Sequence, residues 1–162
     1  MDNSPEIYIE RLIEASKKKY KCLQDIILLT MAQTEAINIE GMDGLKKLIS
    51  DKQVKIDEIN KIDEEFGVYF ARLKQKLGIN KLEEIKSSDL KGAKELQQTI
   101  GQIMELLKEI NELEKHNNEK AKGFLNDLGA KIRQIKEGKK LSNAYSPGTG
   151  LRQPSYFIDK KK

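Results

Sequence analysis

The chain has 162 residues, enough for one domain whose core needs neither disulfide nor metal. Charged residues make up 35% and aromatic residues 6%, with no Trp and three Pro, a balance that favours long surface-charged helices over a sheet sandwich. The net charge of +4 is concentrated at one end: residues 136–162 hold seven basic and two acidic residues, so the first 135 are nearly neutral and offer no nucleic-acid-binding face.

The first predicted helix runs from Pro5 to about Ile39. Ser4-Pro5-Glu6 is a helix start: a hydroxyl to accept an early N–H, Pro at the first helical position, and an acid near the positive end of the dipole. Tyr8, Leu12, Ala15, Cys22, Ile26, Leu29 and Ala36 form one stripe, with Ile9, Ile13, Tyr20, Leu23, Ile27 and Met31 beside it. A face that wide suits packing against two neighbours. Gly41-Met42-Asp43-Gly44 reads as a turn, with Asp43 as N-cap of a second helix over about 43–78. Its apolar positions recur from Leu45 to Leu77, and Gly78 is its natural C-cap. Lys52 interrupts that stripe and is expected to carry its ammonium out to solvent over an apolar stem. The short connection makes helices one and two antiparallel neighbours.

Residues 79–88 form a connector, with one helical turn expected near Lys81 to Ile85. Ser87-Ser88-Asp89 is then expected to cap a third long helix over about 88–138, with Gly92 and Gly101 inside it where helices approach closely. Its seam is Leu96, Ile100, Ile103, Leu107 and Ile110, then Ala121, Phe124, Leu128, Ile132 and Ile135. Glu114 to Lys120 breaks that seam, which predicts a softened or bent segment around His116-Asn117-Asn118. From Leu141 onward the composition is turn and linker chemistry. A flexible tail over 141–162 is expected to hold a short recognition segment around its aromatics Tyr145, Tyr156 and Phe157. The fold class is therefore all-α: an antiparallel, coiled-coil-like bundle of three long helices in residues 1–140, followed by the tail.

Enzyme chemistry has no foothold. His116 is the sole histidine, placed in the most polar stretch of helix three, and Cys22 lies on an apolar stripe as a small buried hydrophobe. One His and one Cys build no metal cluster, and no cofactor is expected. Gly138-Lys139-Lys140 is no phosphate loop, because Arg133 stands where the earlier glycine belongs and no Ser or Thr follows. Carboxylate runs such as Asp63-Glu64-Glu65 read as solvent-facing charges paired with Lys three or four residues away. No apolar run reaches membrane-spanning length, the N-terminus is acidic and polar, and the single cysteine fits a reducing compartment. The expected location is cytoplasmic, with no membrane insertion.

Helices one and two are too short to cover all of helix three. The overhang beyond Asn118 is expected to expose Phe124, Leu125, Leu128, Ile132 and Ile135 as a partner-binding stripe. The alternatives are that the overhang closes on itself, on a second copy of the chain to give a homodimer, or on the tail.

Several stretches together resemble a known family. They are Leu28-Leu29-Thr30-Met31-Ala32-Gln33-Thr34-Glu35-Ala36-Ile37, the short acidic turn, Leu45-Lys46-Lys47-Leu48-Ile49-Ser50-Asp51-Lys52-Gln53, and the ending Tyr156-Phe157-Ile158-Asp159-Lys160-Lys161-Lys162. In order and length the chain resembles the flagellar type III export chaperones of the FlgN type. The resemblance implies a cytoplasmic chaperone that keeps hook–filament junction proteins from assembling early. It further implies delivery to the cytoplasmic domain of the export-gate membrane protein. The C-terminal part would bind client, with Tyr145, Tyr156 or Phe157 as the gate-docking candidates. The alternative is a generic coiled-coil adaptor or a secreted helical substrate with no chaperone role.

Overall fold

The computed structural model describes residues 4–86 and 89–141. Among these residues the chain is helical, without strands: α1 (Pro5–Ala36), α2 (Met42–Leu77), the single turn α3 (Glu83–Lys86) and α4 (Ala93–Leu141). The all-α expectation stands; of the expected tail over 141–162, Leu141 still belongs to α4, which runs past the expected end near 138, and the rest lies outside the described residues.

Helix α1 starts where Pro5 fixes φ, but Ser4 caps it through its backbone: the Ser4 carbonyl accepts from Ile7 N at 3.0 Å, and its hydroxyl makes no cap bond. The helix stops at Ala36, three residues earlier than expected. Asn38 is the reason. Its amide donates to the Glu35 carbonyl at 2.9 Å and its Oδ1 accepts from Gly41 N at 2.7 Å, so the side chain competes with the helical ladder. Gly41 is required by close approach, since a Cβ there would sit 2.4 Å from the Ala36 carbonyl oxygen. Asp43 is not the N-cap, because α2 is already under way at Met42. Gly78 ends α2 in the left-handed region, as expected, with its N–H on the Lys74 carbonyl at 2.8 Å.

Helix α4 begins at Ala93, not near residue 88. Gly92 lies outside the helix at φ +88°, a backbone state that interrupts helical winding, and packs against Ile9 and Ile13. Gly101 is inside α4 but faces open space, so the expected close helix approach is absent there. The helix is continuous through His116-Asn117-Asn118, against the expected soft segment.

Helix α1 is the middle rod. Against α2 it runs antiparallel: Tyr8 meets Tyr69, Lys19 meets Asp63, and Gln33 meets Lys52. Against α4 it runs parallel: Lys17 meets Glu95, Thr30 meets Asn117, and Thr34 meets Lys120. The bundle is thus up-down-up, antiparallel only between consecutive long helices. Asp63, Glu64 and Glu65 are exposed as expected, though Asp63 pairs with Lys19 across the helices at 2.8 Å and not along its own.

The core is three apolar clusters stacked along α1. The first joins Tyr8, Ile9, Leu12 and Ile13 with Leu73, Ile85, Ala93 and Leu96. The second joins Cys22, Leu23 and Ile26 with Ile59, Ile103 and Ile110. The third, smallest, closes the tip with Ile37, Leu45 and Ala121. Each fully buried Leu or Ile stabilises by about 1.5–3 kcal/mol, so most of the cohesion lies in the first two.

Candidate partner-binding face

Between the second and third clusters the three helices meet through polar side chains. Lys52 Nζ donates to Gln33 Oε1 at 2.9 Å and to the Glu114 carboxylate. Asn117 Nδ2 donates to the Thr30 carbonyl at 3.0 Å, while Asn117 Oδ1 accepts from the Thr34 hydroxyl at 2.5 Å. Lys120 Nζ donates to the Thr34 carbonyl at 2.6 Å. Asn117 and Thr30 are 0% exposed, Gln33 2% and Lys52 8%, so this layer is core. The expectation that Lys52 reaches solvent fails because two acceptors, one from each neighbouring helix, hold its ammonium inside. Each of these buried polar groups thus has at least one hydrogen-bond partner. Sequence reasoning missed these residues. The signal was available: Ile110, Glu114, Asn117 and Ala121 keep the alternating four-and-three spacing of the seam.

Past the layer α4 rounds the α1–α2 turn. Ala121 is buried in the third cluster, and Phe124 packs on it beside Met42 and Ile49. Phe124 is therefore anchored to the tip and does not belong to a free overhang starting at Asn118. From Leu125 on, α4 has outrun both partner helices, since α1 ends at Ala36 and α2 begins at Met42. Residues 125–141 rise by about 25 Å. On this arm Leu125, Leu128 and Ile132 are half-buried and Ile135 is 57% exposed, and none of the four joins a core cluster. Their spacing of three, four and three places them on one helix face. Lys131, Arg133 and Lys136 are exposed beside them, with Asp127 and Glu137 as the acids. Four of the five expected residues thus lie together on the stretch of α4 that runs beyond α1 and α2, and the fifth, Phe124, packs at its root. Tyr145, Tyr156 and Phe157 lie outside the described residues.

A second apolar surface was not foreseen. Leu28 and Val54, 63% and 56% exposed, flank a groove of about 460 Å³ between α1 and α2, lined also by Leu29, Asp25, Asp51 and Lys55. Met31, expected on the packed face, is 51% exposed on the same side of α1 as Leu28.

The remaining candidate chemistry is quiet. Cys22 is buried with Sγ 3.5 Å from Glu58 Oε2, and burial followed by the Glu58 hydrogen bond raises its pKa above 9.0. That is the environment of an inert thiol. His116 is exposed. Among the described residues no group of His, Cys, Asp or Glu is arranged to hold a metal ion, and no helix is long and apolar enough to cross a membrane. In comparison with known families, the chain matches the model described as FlgN protein over residues 1–153. Comparisons with curated proteins and with solved structures give no significant match.

Proposed function

Since the chain belongs to the FlgN family, whose members act as flagellar export chaperones, we propose that it chaperones hook–filament junction proteins by way of the α4 arm. The observation that carries this reading is the apolar face of Leu125, Leu128, Ile132 and Ile135, which lies beyond the ends of α1 and α2 and, among the described residues, joins no core cluster. An amphipathic helix of a client laid along this face buries its own apolar side chains, the surface through which it would otherwise polymerise. Phe124, packed at the root, extends the face toward the tip. Residues 1–140 then act as the chaperone domain, working in the cytoplasm. The basic segment beyond, with Tyr145, Tyr156 and Phe157, presents the loaded complex to the cytoplasmic domain of the export gate.

The test is calorimetric titration of a hook–filament junction protein against three chains: full length, ending at Leu141, and ending at Phe124. Binding kept without the tail and lost with the arm supports the assignment. Equal binding by all three removes the arm from client recognition. Sedimentation of the client-free protein addresses the second-copy occupant: a monomer leaves the face free for client, and a dimer lost on ending the chain at Phe124 assigns the arm to self-association.

A further inference from the structure

The seam of α4 has no phase break. Leu96, Ile100, Ile103, Leu107, Ile110, Glu114, Asn117, Ala121, Phe124 and Leu128 alternate steps of four and three throughout. A periodic apolar seam is degenerate. Sliding α4 by seven residues along the parallel α1 lays apolar side chains over apolar side chains at nearly every level. Among the described contacts, the exposed Lys17–Glu95 pair and the Gln97 bond to the Leu82 carbonyl also change with register, but the buried side-chain bonds from α4 to both partner helices are confined to one layer. A slide in one direction brings Ala121 and Phe124 to the levels of Glu114 and Asn117; a slide in the other brings Leu107 and Ile110. Either way Lys52, 8% exposed and bonded to the 2% exposed Gln33, loses its α4 partner Glu114. In the same movement Glu114 and Asn117 enter one of the apolar clusters, where nothing bonds them.

We propose that the buried layer of Gln33, Lys52, Glu114 and Asn117 is the register stop of the bundle, fixing how much of α4 projects past the α1–α2 turn. The four are positioning residues and touch no partner. Thr30 and Thr34 are not needed for the stop, because their hydroxyls already have acceptors on α1: the Ile26 carbonyl at 2.7 Å and the Thr30 carbonyl at 3.2 Å. In its bearing on client binding the inference rests on the arm assignment above: a one-heptad retraction withdraws about 10 Å of a 25 Å arm. The stop itself is a statement about the free chain.

The test is a distance measurement between spin labels at the exposed positions Lys18 on α1 and Lys122 on α4, in a Cys22→Ala background of the full chain. Lys120 sits level with Thr34, so the two sites are separated by roughly 27 Å along the bundle axis. The chain with its layer intact gives one narrow distance. The variant Gln33→Leu/Lys52→Met/Glu114→Leu/Asn117→Leu gives a second population displaced by about 10 Å, while its thermal midpoint stays level or rises, as for buried polar sets replaced by apolar ones. A single unchanged distance in that variant overturns the proposal and assigns register to the connector and the end clusters. A lowered midpoint with the native distance kept also overturns it, making the layer a stability element. No client enters either readout, so loss of client binding in a chain of native register counts against the arm assignment alone.

Discussion

Replacing Asn117 by Ala is the most direct probe of the buried layer. The side chain is 0% exposed and makes two hydrogen bonds to α1, at 3.0 Å and 2.5 Å. Each contributes about 1 kcal/mol net, and the amide leaves a small void that adds to the loss. Two effects oppose. Alanine gains up to about 0.7 kcal/mol of helix propensity over asparagine. The freed groups on α1 are also not orphaned, since the Thr34 hydroxyl retains the Thr30 carbonyl at 3.2 Å. The balance is a destabilisation of about 1.5–2.5 kcal/mol. With a urea slope of about 2 kcal/mol per molar, the unfolding midpoint followed by far-ultraviolet circular dichroism falls by about 1 M. A shift under about 0.2 M, the range of ordinary surface substitutions, refutes the claim that Asn117 is a bonded core residue.

Three further outcomes follow from the same geometry. Leu128→Glu, placed on the arm outside every cluster, leaves the unfolding midpoint within about 0.5 kcal/mol while client affinity drops about 100-fold, because an apolar contact is replaced by a desolvated charge; calorimetry showing unchanged affinity removes Leu128 from the face. Cys22 reacts with an alkylating reagent near neutral pH far more slowly than a free thiol. Its raised pKa also means that its contribution to stability is full below the ordinary thiol value of 9.0 and is lost as pH rises through the higher folded value. Native-state alkylation at the free-thiol rate contradicts both statements. Gly41→Ala puts a methyl 2.4 Å from the Ala36 carbonyl oxygen, a backbone atom, so the turn must open at about 2 kcal/mol or more, read as a lower urea midpoint; an unshifted midpoint shows the turn to be pliant.

The long elements were legible because their apolar positions repeat at helical spacing over many turns, and α1 carried two adjacent stripes that called for two neighbours. The ends were less legible. Asn38 and Gly92 act through side-chain hydrogen bonding and positive φ, which short-range signals such as Asp43 or Ser87-Ser88 do not weigh. The layer at Lys52, Glu114 and Asn117 was misread because polar residue types were taken to end a seam, although their spacing continued it. What decides between the two is whether acceptors and donors from three helices converge, and that information lies in positions far apart in sequence. At the candidate site, helix lengths alone placed Leu125, Leu128, Ile132 and Ile135 beyond the ends of α1 and α2, but not the half-burial of the first three. Nor was the packing of Phe124 legible, since the cluster it packs on is assembled from Ile37 and Leu45 on either side of the turn with Ala121.

The place of α1 in the middle of the bundle sets an order of events during synthesis. Its antiparallel partner α2 is complete at Leu77, and the two can close as a hairpin through the short turn around Gly41. The parallel partner α4 ends only at Leu141. At about 5–20 residues per second the ribosome takes several seconds to make the intervening chain, whereas a local helical hairpin closes in far less than a second. For that interval the hairpin stands with one flank of α1 bare: Leu23, Ile26 and the Thr30 carbonyl wait for partners not yet made. Residues 125–141 are made after α1 and α2, so the segment proposed to hold client emerges only when the hairpin that aims it is already standing.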